Sequence, residues 1–263
     1  MSNSEVRTFP VSRIATVDIC AIGVRKHHIS AFVEVDVTTL REKIILARKQ
    51  HRRVSFTACL LKAIALSVSQ FEESAAYLKG KRSMVIFKNV NISLLVERAV
   101  NGTKVPLPVL ITNVNNLTAE AISLEIAQAQ AAETRAGKAV INRNISFAER
   151  VYYYFPGFLR RWFWKMLLRF PNATYQKMGN VAVTSTGMMG QISGWFVPIS
   201  IHPLCIGTGS VVKKAVVVND CIVIREILHL TVLMDHDVID GAQMARFIQY
   251  LTSIIKNGQC IDS

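Results

Sequence analysis

The fold the sequence predicts is a single mixed α/β domain with helices packed on one face of a sheet. Three observations point there. Strand-like and helix-like patterns interleave along all 263 residues without a repeat, a low-complexity tract or a Pro/Gly/Ser-rich linker. One helical stretch, Ser55 to Phe71, carries a single charge and is apolar on nearly every side, which suits a central core helix. The C-terminal third is a run of apolar strands divided by Gly209 and Asn219-Asp220. A hydrophobic fraction of 51% supports a sizeable core and leaves a surplus that subunit interfaces commonly absorb, so an obligate oligomer is expected.

Taken in order, residues 1–27 form an arm without clear periodicity and residues 28–263 form the domain. The basic cluster Arg25-Lys26-His27-His28 sits at the junction. Ile29 to Val37 alternates like a half-buried strand. A helix follows, with Thr39 and Glu42 at capping-box spacing and Leu40, Ile44 and Ala47 on one face. It ends in the basic run Arg48 to Arg53, which the helix dipole alone can explain or which can bind an anion. Beyond the core helix, Ser83 to Phe87 and Asn91 to Val96 read as strands. Asn101-Gly102 marks a turn into a third, Val105 to Ile111. Leu117 to about Thr134 is helical, with Ile122, Ile126 and Ala129 as its apolar stripe and Gly137 as its stop. Asn180 to Thr184 is a strand ending in Thr184-Ser185-Thr186-Gly187-Met188-Met189-Gly190. Leu204 to Gly207, Val211 to Val218 and Cys221 to Met234 are further strands. The last helix runs from Gly241 to Lys256-Asn257-Gly258, with Ala245, Ile248 and Leu251 on one side.

Residues 146–178 differ from their surroundings. Tyr152 to Phe155, Phe158, Trp162 to Trp164 and Phe170 interleave with Arg160, Arg161, Lys165 and Arg169. Arg161, Lys165 and Arg169 recur at i, i+4 and i+8, so a helix here carries a narrow basic stripe on an aromatic surface. That pattern fits an interfacial helix on a membrane surface, or a helix docked on its own protein or a sister subunit. It fits a single-stranded nucleic-acid platform less well, since there the aromatics stand among polar residues on a sheet.

The balance of 31 Lys+Arg against 18 Asp+Glu gives +13, which favours an anionic partner: nucleic acid, lipid, or a phosphate-bearing ligand such as coenzyme A. Five scattered cysteines at 20, 59, 205, 221 and 260 form no CxxC pair. They argue against a zinc site and a disulfide framework and for a reducing compartment. The polar start MSNSEVRTFP has no signal-peptide core behind it, and no stretch is apolar for the length a spanning helix needs. A cytoplasmic protein with no metal and no nucleic-acid partner is the expectation.

The chemistry concentrates between Thr231 and Phe247. An apolar run delivers Asp235 and His236, and Asp240-Gly241 opens the last helix, so a histidine stands at the mouth of a strand. An imidazole there can take a proton from a thiol or hydroxyl near neutral pH. A hydroxyl at another strand end, Thr184 or Ser185, can hold the oxyanion formed when such a nucleophile attacks an acyl carbonyl. Taken singly, each has a plain structural role open to it: a core histidine, or a strand-end hydroxyl bonded to backbone.

Together, Asp235-His236-x-x-x-Asp240-Gly241, the preceding apolar strand and the following Ala242 and Ala245-Arg246-Phe247 resemble the signature of the catalytic domain of 2-oxoacid dehydrogenase dihydrolipoamide acyltransferases. Chloramphenicol acetyltransferases share that fold. Phe32 to Leu40, the helix from Ser55, Val90 to Leu95, the 105–134 strand and helix, and Val181 to Gly190 resemble the same family in the same order. Asp235, where the antibiotic-resistance branch tends to have a second histidine, favours the dehydrogenase branch.

The resemblance implies a two-layer, mixed-sheet, trimer-forming fold and an acyltransferase that uses coenzyme A or acyl-CoA as substrate. His236 is then the general base and Thr184 the oxyanion-stabilising hydroxyl, with Ser185 as its alternative. Asp240 helps hold the histidine loop, and Gly241 allows the turn into the last helix. The site would be shared between neighbouring subunits of a homotrimer, which can build into a larger cage. Residues 146–178 read as an insertion. No lipoyl or peripheral-subunit-binding domain is recognisable, so a lipoyl-bearing protein or a small acceptor would arrive in trans. Asp237 stands where the family usually has arginine, and Arg13 or Arg25 is the candidate partner of Asp240. A non-catalytic scaffold or membrane-surface protein on the same fold is the alternative.

Overall fold

A computed structural model describes residues 4–9, 12–100, 103–131, 152, 154–186 and 193–261. Within the expected arm, Ser12–Gly23 is a helix, α1. Its sequence shows little apolar periodicity because what holds it is polar: Asp18, fully buried, accepts a hydrogen bond from Arg160 Nε at 2.6 Å. Strand β1 (His28–Asp36) leads into helix α2 (Thr38–Lys49), which buries Leu40, Ile44 and Ala47 as their spacing predicts. The capping is different from the expectation at Thr39 and Glu42. Asp36 Oδ1 instead accepts from the Thr38 backbone N–H at 3.0 Å and its hydroxyl at 2.6 Å.

Helix α3 (Phe56–Gln70) is capped by Ser55, whose hydroxyl accepts from the Ala58 N–H, and it buries ten side chains. Even its single charge is enclosed. Lys62 is 4% exposed and donates to the Asn115 carbonyl at 3.0 Å, and burial lowers its pKa. A two-strand ribbon, β2 (Tyr77–Lys79) with β3 (Ser83–Val85), stands apart from the main sheet. Sequence reading missed β2, which is too short to show alternation. Strands β4 (Ile92–Val100) and β5 (Thr103–Ile111) and helix α4 (Ala119–Ala131) follow. The predicted Asn101-Gly102 turn, the Gly137 stop and the Gly187 to Gly190 strand end lie outside the described residues.

The aromatic segment holds helices α5 (Gly157–Leu168) and α6 (Pro171–Met178). After β6 (Val181–Ser185), the two strands predicted between 204 and 218 are one, β7 (Leu204–Val218), bent by a register shift between Thr208 and Val211. Gly209 sits in that bend, where a Cβ would lie 2.9 Å from the Gly194 carbonyl oxygen. Asn219 and Asp220 both take positive φ and close a tight hairpin to β8 (Cys221–Asp235). Helix α7 (Gly241–Asn257) buries Met244, Phe247, Leu251, Ile254 and Ile255. Of the predicted stripe, Leu251 is buried and Ile248 packs half-buried against the core, whereas Ala245 is exposed and Met244 and Phe247 take the inward positions.

The main sheet has the order β1-β8-β7-β6-β4-β5, with β6 parallel to both β4 and β7 and the other pairs antiparallel. Its inner face, including Val183, Leu230, Val232 and Met234, packs with α2, α3 and α7 in one core. Strand alternation sends Thr184, Gly207, Thr231 and Phe32, paired across four strands, to the opposite face. Residues 195–203 cover part of that face. The Phe196 ring lies where a Cβ on Gly207 would meet it at 3.3 Å. Trp195, Val197 and Ile199 leave their outer surfaces exposed.

Candidate active site

Register fixes where the predicted residues stand. Met234 pairs with Leu204, and Leu204 with Val181, so the end of β8 lies level with the start of β6. Thr184 pairs with Gly207, and Gly207 with Thr231, five residues before His236. At about 3.3 Å per residue and 4.8 Å per strand, Thr184 and His236 of one chain are separated by about 17 Å along the strands and about 10 Å across them. The fold places both at strand ends as expected, but at opposite ends. They do not meet within one subunit.

His236 itself is exposed. Its backbone N–H donates to the His27 carbonyl at 2.8 Å, while its imidazole has no hydrogen-bond partner among the described residues. The loop beneath it is tightly held. Asp235, 2% exposed, forms an ion pair with Lys26, and its Oδ1 accepts from the Asp237 N–H at 3.3 Å. The Asp235 carbonyl receives the N–H groups of Val238 and Ile239 at 3.1 and 3.2 Å, and its own N–H donates to Pro203. His27 Nδ1 bonds Asp237 Oδ1 at 2.9 Å, and this contact raises the His27 pKa. Lys26 and His27 of the basic cluster thus clamp the histidine loop. Sequence reading noted the cluster but not this role, although the facing Asp235 and Asp237 were the available signal.

Behind the clamp, His28 Nε2 donates to the His202 carbonyl at 2.9 Å, and burial lowers the His28 pKa. His202 is buried, and desolvation brings its pKa down to about 4. A neutral ring satisfies both its contacts: Nε2–H donates to the Met178 carbonyl at 3.1 Å and Nδ1 accepts from the Ser200 hydroxyl at 3.2 Å.

Asp240 lies at the N-cap of α7, and its N–H donates to Gln243 Oε1 at 3.2 Å. Gln243 is held in turn by Glu73 at 3.0 Å. Among the described residues neither Arg13 nor Arg25 pairs with Asp240, and Arg25 is exposed. The expected ion pair is absent there. The cation that secures the loop is Lys26, acting on Asp235 instead.

Thr184 and Ser185 are half-buried and, as neighbours on a strand, point to opposite faces. Ser185 lines a cavity of about 390 Å³ on the helix side with Thr57, Leu60, Val183 and Ser210. Thr184 faces away from the helices, and its hydroxyl has no hydrogen-bond partner among the described residues. An unbonded hydroxyl and an unbonded imidazole, each on a rigid strand end, can serve acyl transfer if brought together. No group of His, Cys, Asp and Glu that could hold a metal occurs among the described residues.

This geometry can be set beside known proteins. The dihydrolipoyllysine-residue acetyltransferase component of the Bacillus subtilis pyruvate dehydrogenase complex is 25% identical over 247 residues, covering 89% of this chain and 46% of that protein. The chain spans less than half the length of the curated relatives it matches. Among solved structures, a probable dihydrolipoamide acetyltransferase from Listeria monocytogenes superposes with a TM-score of 0.69 at 19% identity, covering 98% of this chain and 96% of that one. The dihydrolipoamide acetyltransferase of Azotobacter vinelandii gives 0.68 at 16%, covering 99% and 95%. Chloramphenicol acetyltransferase gives 0.50 at 12%, covering 97% and 99%, so the fold is the chloramphenicol acetyltransferase-like one. Residues 24–142 and 172–261 match the family described as 2-oxoacid dehydrogenases acyltransferase (catalytic domain), and residues 143–171 fall between the two matched blocks. With most of its length inside that match, the chain belongs to the 2-oxoacid dehydrogenase acyltransferase family.

Proposed function

We propose that this protein is a coenzyme-A-dependent acyltransferase that moves an acyl group between CoA and a thiol acceptor, either dihydrolipoyl-like and carried by another protein, or a small molecule. The observation that carries this reading is the pair His236 and Thr184, whose side chains have no hydrogen-bond partner among the described residues and which stand at opposite ends of one sheet. A second copy would supply the missing half. His236 takes the thiol proton as the sulfur attacks the acyl carbonyl. The Thr184 hydroxyl of a neighbouring subunit donates to the resulting oxyanion. The imidazolium then returns its proton to the departing thiolate.

Spacing supports these roles. In the Azotobacter vinelandii enzyme the residues investigated for the catalytic mechanism are a serine, a histidine 52 positions later and an asparagine four beyond it. Thr184, His236 and Asp240 stand at the same intervals. A threonine keeps the hydroxyl. Asp240, at the asparagine's place, fixes the start of α7 and so the end of the histidine loop. Ser185 faces the helix side and is the weaker candidate for the oxyanion donor.

The apolar outer surfaces of Trp195, Val197 and Ile199, beside the Thr184 face, suit a subunit interface, and a homotrimer closes such contacts. Assembly of trimers into a cage is a further possibility of the same family architecture, and a cytoplasmic location suits the reduced cysteines. Among the described residues no helix is long and apolar enough to cross a membrane.

The test is an acyl-CoA panel with free dihydrolipoamide and detection of released CoA thiol. His236→Ala should lose at least about 10³-fold in kcat while keeping the wild-type oligomer on size exclusion. Full activity in that variant removes the assignment.

A further inference from the structure

Helix α5 has no buried residue, and its sides sort by chemistry. The inward side carries Arg160 and Trp164, whose polar groups are hydrogen-bonded, with Leu167 and Leu168 half-buried beside them. Arg160 Nε donates to the buried Asp18 carboxylate, the Tyr152 hydroxyl donates to the same Oδ2 at 2.9 Å, and Trp164 Nε1 donates to the Tyr152 oxygen at 2.9 Å. This network binds α5 to α1, and burial pushes the Tyr152 pKa up to about 12.

The outward side is apolar. Phe158, Trp162, Met166 and Phe170 recur every four residues, with Leu159 and Phe163 beside them. Phe158, Trp162 and Phe170 are 66%, 60% and 59% exposed. A stripe of cations, Arg161, Lys165 and Arg169, runs along one edge of this surface. Arg161 reaches Asp18 at 3.9 Å, whereas Lys165 and Arg169 have no carboxylate partner among the described residues. Between positions 151 and 178 the sequence contains five Lys and Arg residues and no Asp or Glu.

We infer that the outer face of α5 docks on the surface of an anionic phospholipid bilayer. Twelve residues, about 18 Å of helix, are too few to span a bilayer, so the helix lies flat with its aromatics in the acyl–headgroup boundary and its cations on the headgroups. The charge pattern selects the occupant. A second copy seated face to face would bring two cation stripes together with no acid on either helix, in a chain already at +13. An anionic headgroup layer neutralises the same stripe. The segment also lies within the 143–171 stretch between the two blocks of the family match. The inference is independent of the acyltransferase reading.

The test is co-sedimentation of the full chain with vesicles of phosphatidylcholine containing phosphatidylglycerol, and with vesicles of phosphatidylcholine alone, alongside size exclusion. Binding should require phosphatidylglycerol and weaken with salt. Lys165→Gln with Arg169→Gln, leaving the Asp18 network intact, should weaken binding about 30-fold at roughly 1 kcal/mol per cation. Phe158→Ser with Trp162→Ser should abolish it while the elution volume stays that of the wild type. Three results each overturn the inference: no binding to anionic vesicles, equal binding to both vesicle types, or a smaller oligomer in the Phe158/Trp162 variant, which would mark the face as a contact between copies.

Discussion

Replacing Lys26 by methionine should damage this protein more than a change near the chain start normally would. Lys26 is the ion-pair partner of Asp235, a carboxylate whose side chain is only 3% exposed. Methionine fills much the same space but leaves that carboxylate charged and unpaired beneath the histidine loop. Removing one partner of a buried pair costs about 3–5 kcal/mol. Lys26 retains a 21% exposed side chain, and water entering there would soften the loss to about 3 kcal/mol. For a chain of this size that corresponds to a fall in Tm of about 6–12 °C.

The same change frees the loop that aims His236, and a displacement of about 1 Å can cost on the order of 10²-fold in rate. Turnover should therefore fall by at least about tenfold under conditions where the variant is still folded. Adding Asp235→Asn to Lys26→Met removes the orphaned charge and keeps an acceptor for the Asp237 N–H, so urea unfolding should recover most of the lost stability. A Lys26→Met variant within about 0.5 kcal/mol of the wild type would refute the clamp.

Two further outcomes follow from buried groups around the site. His202 has its pKa depressed to about 4 from 6.5, so between those values the unfolded chain binds a proton that the folded chain excludes. Stability from this group is complete above pH 6.5 and declines as pH falls toward 4, by up to about 3 kcal/mol. Urea titrations at several pH values should show that slope. His202→Gln, which keeps a donor for Met178, should flatten it, and an unchanged slope in the variant would contradict the assignment. Gly179 and Gly80 share a positive φ, but a Cβ at 179 would sit 2.3 Å from the Asn91 carbonyl oxygen, while at 80 it meets nothing within 4 Å. Gly179→Ala should therefore cost about 3 kcal/mol or more, and Gly80→Ala about 1 kcal/mol, in the same unfolding assay. Equal costs would show that backbone conformation, rather than the close approach, governs both.

The sequence was legible where one physical cause dominates. Alternation gave β1, an all-round apolar stretch gave α3, and the Asn219-Asp220 pair marked the hairpin between β7 and β8. It failed where a partner distant in sequence decides. Helix α1 depends on Asp18 meeting Arg160, 142 positions away, and nothing local announces it. The Thr39 and Glu42 spacing imitated a cap that Asp36 supplies. At the candidate site, His236 and the Thr184/Ser185 pair could be picked out from residue type and strand ends, while the choice of Thr184 and the role of Asp240 came from the family resemblance. Which cation secures the loop could not, because Lys26 reaches Asp235 only through the pairing of β1 with β8, and guesses at Arg13 and Arg25 had no register behind them. Register adds a physical reason for the shared site that the resemblance implied: the two halves of the proposed site lie too far apart in one chain to act together.

That separation makes subunit complementation the most direct measurement. His236→Ala and Thr184→Val proteins, each nearly inactive alone, are dissociated, mixed in equal amounts and reassembled. If every site takes its histidine from one subunit and its hydroxyl from the next around a closed ring, a quarter of the junctions carry both groups, and the mixture should regain about a quarter of wild-type activity. Activity no greater than that of the two variants assayed separately, in a mixture shown to contain mixed oligomers, would contradict a shared site.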